Sequence, residues 1–136
     1  PCQSSAASDV YKRQEYYLTE KMGRWSTPDS VFAPEAFAEY LRCFQNPETI
    51  HASCEDYRAA ASIDLKHDAE DLNRKIECPL LVLWGDQGLV HRKYDVLTVW
   101  RERASNVSGK SLNCGHYLPE ESPEQVFQEL LLFLSS

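Results

Sequence analysis

The sequence predicts an α/β fold in which a helical first part is followed by alternating strand and helix. Three observations predict it: apolar residues at helical spacing before residue 73, the run CPLLVLWG closed by Gly85, and a strand, helix, strand, helix order from Arg74 onward. In PEAFAEYLRCFQ, the residues Phe37, Tyr40, Leu41 and Phe44 fall at i, i+3, i+4 and i+7, with Pro34 at a first helical position. The next stretch, NPETIHASCEDYRAAASIDL, offers Asn46 as N-cap, Pro47 at N1 and Glu48 in the first turn. Its predicted inward face is Ile50, Cys54, Tyr57 and Ala61, which sets Tyr57 among apolar neighbours.

From Cys78 to Gly85 the chain is continuously apolar, as a strand buried on both faces would be. YDVLTVWRERA then predicts a helix with Val96, Leu97, Val99 and Trp100 inward, and NVSGKSLNCG predicts a weaker strand. Ser122, Pro123 and Gln125 read as a capping box opening the last helix. The order makes one βαβ unit and a closing helix. Two such strands cannot form a stable sheet alone, because central strands need neighbours on their edges, so the expectation is a part of a larger fold.

Composition narrows the function. A net charge of −7 with pI near 5.0 provides no basic patch, so neither nucleic acid nor an anionic membrane surface is expected as a partner. The five cysteines, Cys2, Cys43, Cys54, Cys78 and Cys114, form no C-x-x-C pair, which points away from a metal site and toward a reducing cytoplasm. The run LLLFL at residues 130–134 is too short to span a bilayer. His51 and His91 lack spaced partners, and Lys66, His67 and Asp68 read as a solvated face. Trp84 and Trp100 read as core aromatics.

Residues 1–14 stand apart. The hexapeptide DVYKRQ, preceded by a Ser/Ala string, is what one frame of a transposase adaptor encodes, so these residues read as a sequencing scar outside the fold, with an ordinary disordered terminus as the alternative. The expected organisation is then 15–73 as a helical segment and 74–136 as part of an α/β core. His116, on a Gly-His loop after the second strand, sits where a general base would, yet no upstream residue reads as its nucleophile.

The segments CEDYRAAASIDLKHDAEDLNRKIECPLLVLWGDQGLV, YDVLTVWRERA and CGHYLPEESPE resemble the C-terminal portion of haloacetate (fluoroacetate) dehalogenases of the α/β-hydrolase superfamily. The resemblance covers residues 15–136 and makes 15–73 the later cap helices. It implies a mechanism in which an aspartate displaces halide from the carbon beside the substrate carboxylate. A histidine then activates water to hydrolyse the resulting ester. On this resemblance His116 is the base and Tyr57 the cap tyrosine that hydrogen-bonds the departing halide. The nucleophile, the orienting acid and the arginines for the substrate carboxylate lie outside this chain, which alone is expected to be inactive. Neither metal nor organic cofactor is implied, the substrate is a small halogenated acid, and the parent enzyme admits a homodimer. Asp86 invites the role of orienting acid, but in epoxide hydrolases that acid sits three residues after the glycine, where this chain has Gly88. Asp86 therefore reads as a turn residue. An epoxide hydrolase and a non-catalytic interaction module remain alternatives.

Overall fold

The structure, a computed structural model, describes residues 12–28, 30 and 32–135, so the adaptor-like segment lies almost entirely outside the described residues. The chain divides into two compact units, Pro1–Met22 with Phe32–Asp71, and Gly23–Val31 with Leu72–Ser136. No local sequence pattern signals that 23–31 groups with the second unit.

The first unit is helical. Among the described residues helix α1 (Gln14–Trp25) runs past the division at Met22, and α2 (Pro34–Phe44) carries the expected proline at its start. Helix α3 (Pro47–Ala60) is capped as its sequence predicts: the Asn46 side chain accepts from the Glu48 N–H at 3.0 Å. Ile50 on this helix is buried to 1 % exposure. The predicted continuation to Leu65 is interrupted, because Ala61 and Ser62 leave helical geometry and the Ser62 hydroxyl donates to the Arg58 carbonyl at 2.6 Å. That bond gives the backbone an alternative to the helical ladder. A separate helix, α4 (Ile63–Glu70), follows. Tyr57 does not share the burial of Ile50 and is 56 % exposed.

The second unit holds the sheet. Strands β1 (Leu80–Gly85) and β2 (Val107–Leu112) pair in parallel, with Leu80 opposite Val107 and Gly85 opposite Leu112. An isolated parallel bridge between Ile76 and Ala104 extends the ladder before the strands begin. Two helices make the crossover, the short α5 (Leu89–Lys93), which the sequence did not announce, and α6 (Val96–Arg103). Asp95 caps α6 by accepting from the Thr98 N–H at 3.2 Å. Gly109, with φ of 152°, comes so close to β1 that a Cβ would meet the Val82 carbonyl oxygen at 2.0 Å.

The core of this unit is Val82, Val96, Ala104, Leu112 and Cys114. Val99 and Trp100, expected inward, are exposed, as are Phe127, Leu130, Leu131, Leu132 and Leu134 on the last helix. The physical reason is that the sheet has two strands among the described residues, so these faces have no further strand or helix to meet. Helices α7 (Leu118–Glu121) and α8 (Pro123–Leu134) close the chain. The expected capping box at α8 does not form, because Ser122 makes no side-chain cap hydrogen bond. No helix among the described residues is long and apolar enough to cross a membrane.

Asn46→Ala removes the side-chain cap of α3 and should lower stability by about 1 kcal/mol. Urea denaturation followed by far-UV circular dichroism checks this. An unchanged midpoint would mean that the cap contributes nothing.

Candidate functional site

The loop that carries His116 is built from the ends of the two strands. Leu112, the last residue of β2, accepts through its carbonyl from the N–H groups of Asp86 and Cys114, both at 2.9 Å. Gln87 N–H donates to the Cys114 carbonyl at 3.1 Å, and the Gln87 side chain donates to Asn113 at 3.0 Å. The turn after β1 and the loop after β2 are thus laced together. Gly85 permits the approach, since a Cβ there would lie 1.7 Å from the Gly115 carbonyl oxygen.

Beyond Gly115 one carboxylate organises the backbone. Glu121 accepts from the Gly115 and Thr27 N–H groups through one oxygen, each at 2.9 Å, and from the Tyr117 N–H through the other at 3.0 Å. The amides on either side of His116 are thereby fixed to a single anion, while the His116 N–H donates to the Trp25 carbonyl at 2.8 Å. Partial burial opposes ionisation of Glu121, but the three backbone N–H groups outweigh it and hold the carboxyl below its ordinary 4.5. A side chain at position 115 is excluded by the same crowding, because its Cβ would meet Glu121 Oε1 and the Trp25 carbonyl oxygen, each at 2.8 Å.

The imidazole itself is exposed at the end of this rigid loop. It stands edge-to-face with the Trp25 indole at 4.8 Å and with the Tyr117 ring at 5.2 Å. Two aromatic rings flank an imidazole that remains exposed, an arrangement able to take a proton from water. Asp86 makes no hydrogen bond to it among the described residues, and Asp86 Oδ1 is buried without a partner there. Burial pushes the neighbouring Cys114 thiol up; the Ser122 hydroxyl opposes this, and the charges of Glu121 and Asp86 add to it. Among the described residues no group of three or more His, Cys, Asp or Glu side chains could hold a metal.

Tyr57 belongs to the first unit and His116 to the second, and each is described in its own surroundings. The Tyr57 hydroxyl accepts from Lys21 Nζ at 2.5 Å, and the same ammonium reaches the Tyr17 hydroxyl at 3.4 Å. Burial works against the Lys21 charge, yet the two phenols outweigh it and raise its pKa above the ordinary 10.5. Sequence reasoning singled out neither Lys21, Trp25 nor Glu121. Lys21 and Glu121 lie on polar stretches with no distinguishing pattern, and their partners are remote or are backbone groups. Trp84 is tied to His91, its indole N–H donating to Nδ1 at 3.0 Å.

Glu121→Gln replaces an acceptor pair with an amide that offers one oxygen, and should cost roughly 1–3 kcal/mol of stability near neutral pH. Because the folded carboxyl titrates below its ordinary 4.5, the native state binds fewer protons than the unfolded chain, so the contribution is full above that pH and declines as pH falls through the folded value. Denaturation midpoints measured from neutral to acidic pH should therefore converge for wild type and variant below about 4.5. A constant gap across the range would contradict the role given to Glu121.

Comparison with known proteins places this geometry. No family model matches the sequence. A fluoroacetate dehalogenase from Burkholderia sp is 39 % identical over 113 residues, covering 83 % of this chain and 37 % of the relative. A soluble epoxide hydrolase from Corynebacterium sp. (strain C12) is 34 % identical over 110 residues, covering 78 % of this chain and 36 % of the relative. The chain thus spans little more than a third of the length of these curated relatives. A crystal structure from Nostoc sp PCC 7120, described as that of an α/β hydrolase, superposes with a TM-score of 0.90 at 55 % identity, covering 94 % of this chain and 44 % of that one. The chain folds as the C-terminal part of an α/β-hydrolase.

Proposed function

We propose that the full-length protein is a hydrolase that cleaves the carbon–halogen bond of a short haloacid such as fluoroacetate. The similarity to the Burkholderia fluoroacetate dehalogenase carries this reading, since it covers most of the chain. A carboxylate supplied by sequence outside this chain attacks the carbon bearing the halogen. The halide leaves with the bonding pair, and a covalent ester remains. His116 then takes a proton from water, the hydroxide attacks the ester carbonyl, and the hydroxy acid departs as the carboxylate is restored. The reading uses no metal or organic cofactor.

Tyr57 serves the first step in this proposal. Fluoride concentrates charge as it departs, so a hydrogen-bond donor that acts most strongly at the transition state lowers that barrier more than it tightens ground-state binding. The rigid Gly115–Tyr117 backbone serves the second step by holding the imidazole in one place.

The similarity to the Corynebacterium epoxide hydrolase supports a second reading, in which the ester forms by opening an epoxide and Tyr57 donates to the epoxide oxygen. Fluoride release from fluoroacetate, against diol formation from a simple epoxide, separates the two. In the first case His116→Ala should form the ester but stall there, visible as a covalent mass increase with turnover reduced by about 10²-fold or more. A variant that turns over normally would remove His116 from the mechanism.

A further inference from the structure

The partner of Tyr57 determines where its proton can go. An ammonium group has three donors and no lone pair, so in the 2.5 Å contact with Lys21 the Tyr57 oxygen is the acceptor. The phenol hydrogen therefore points elsewhere and stays available to another acceptor. Lys21 is itself held by more than one group, since its Nζ also donates to the Tyr17 hydroxyl at 3.4 Å. Tyr17 in turn stacks on Phe44 at 5.6 Å with rings 9° apart, which fixes the platform one helical turn before Lys21 on the same face of α1. A cation donating to a phenol oxygen polarises the O–H bond and makes it a stronger donor.

We propose that Lys21 is a positioning residue that holds Tyr57 as an acceptor, so that the phenol proton is presented to the leaving group and its donation is strengthened as charge develops there. The inference deepens the reading of Tyr57 given above and rests on it for its catalytic consequence. No proton is transferred: the halide leaves with the carbon–halogen pair, Tyr57 keeps its hydrogen while sharing it, and Lys21 stays charged. The demand for such a donor is greatest for fluoride, where the developing charge is most concentrated, and smaller for bromide. Loss of Lys21 should therefore fall unequally on the two substrates.

The test compares Lys21→Met, Lys21→Arg, Tyr57→Phe and the Lys21→Met/Tyr57→Phe double variant in the full-length protein, with fluoroacetate and bromoacetate as substrates. Lys21→Met should reduce kcat on fluoroacetate by roughly tenfold and on bromoacetate by much less, with KM little changed, and Lys21→Arg should recover most of the loss. In the Tyr57→Phe background Lys21→Met should have no further effect, because Lys21 acts through the hydroxyl. Equal losses on both substrates, or an undiminished Lys21 effect without the Tyr57 hydroxyl, would overturn the proposal. A substrate-free measurement keeps its failure distinct from that of the dehalogenase reading: with tyrosine labelled at Cζ, the Tyr57 resonance should move in Lys21→Met and return in Lys21→Arg. An unmoved resonance overturns the pairing whatever the activity, whereas a moved resonance with Tyr57→Phe fully active on fluoroacetate overturns the role of Tyr57.

Discussion

The three hydrogen bonds collected by the Glu121 carboxylate are the constraint on which the His116 loop depends. A loop between a strand and a helix leaves backbone N–H groups without ladder partners, and those groups must be satisfied once they are partly buried. Here one anion satisfies the N–H groups of Gly115, Tyr117 and Thr27 together, the last of them 94 residues away in sequence. The bonds are charge-assisted and converge on a single point, so the backbone on both sides of His116 is fixed without any bond to its ring. The imidazole is left exposed, edged by Trp25 and Tyr117.

That arrangement imposes conditions on its neighbours. Gly115 must lack a side chain because the carboxylate and the Trp25 carbonyl occupy the space, and Gly85 must lack one because the Gly115 carbonyl presses against it. The last helix begins with its carbonyl-based bond from Val126 N–H to Ser122 but no side-chain cap. The sequence Gly115-His116 is in this sense the visible part of a larger set of steric and polar requirements around the ends of both strands.

The first unit follows a comparable logic with opposite charge. Lys21 is a cation kept ionised by two phenol oxygens, where Glu121 is an anion kept ionised by amide donors. Each settles the direction of a neighbouring group by donor and acceptor chemistry alone. In both, the charged residue is not the group that the proposed chemistry employs; it holds that group.

The sequence by itself determined that a helical part precedes alternating strand and helix, because that order depends on local chemistry, while the short helices α4, α5 and α7 went unannounced. The Asn46-Pro47-Glu48 cap and the apolar run ending at Gly85 each act within a few residues, and the parallel βαβ pairing follows from short right-handed connections. The Gly115-His116 loop was equally legible as the end of a strand, and the segment around Tyr57 as a helix. What only the tertiary structure decided was every pairing made across distance: Glu121 with the N–H of Thr27, Trp25 with His116, and Lys21 with Tyr57. The inward faces of Val99 and Trp100 failed for the same reason. Periodicity states which residues share a face, but whether a face is covered is set by groups remote in sequence.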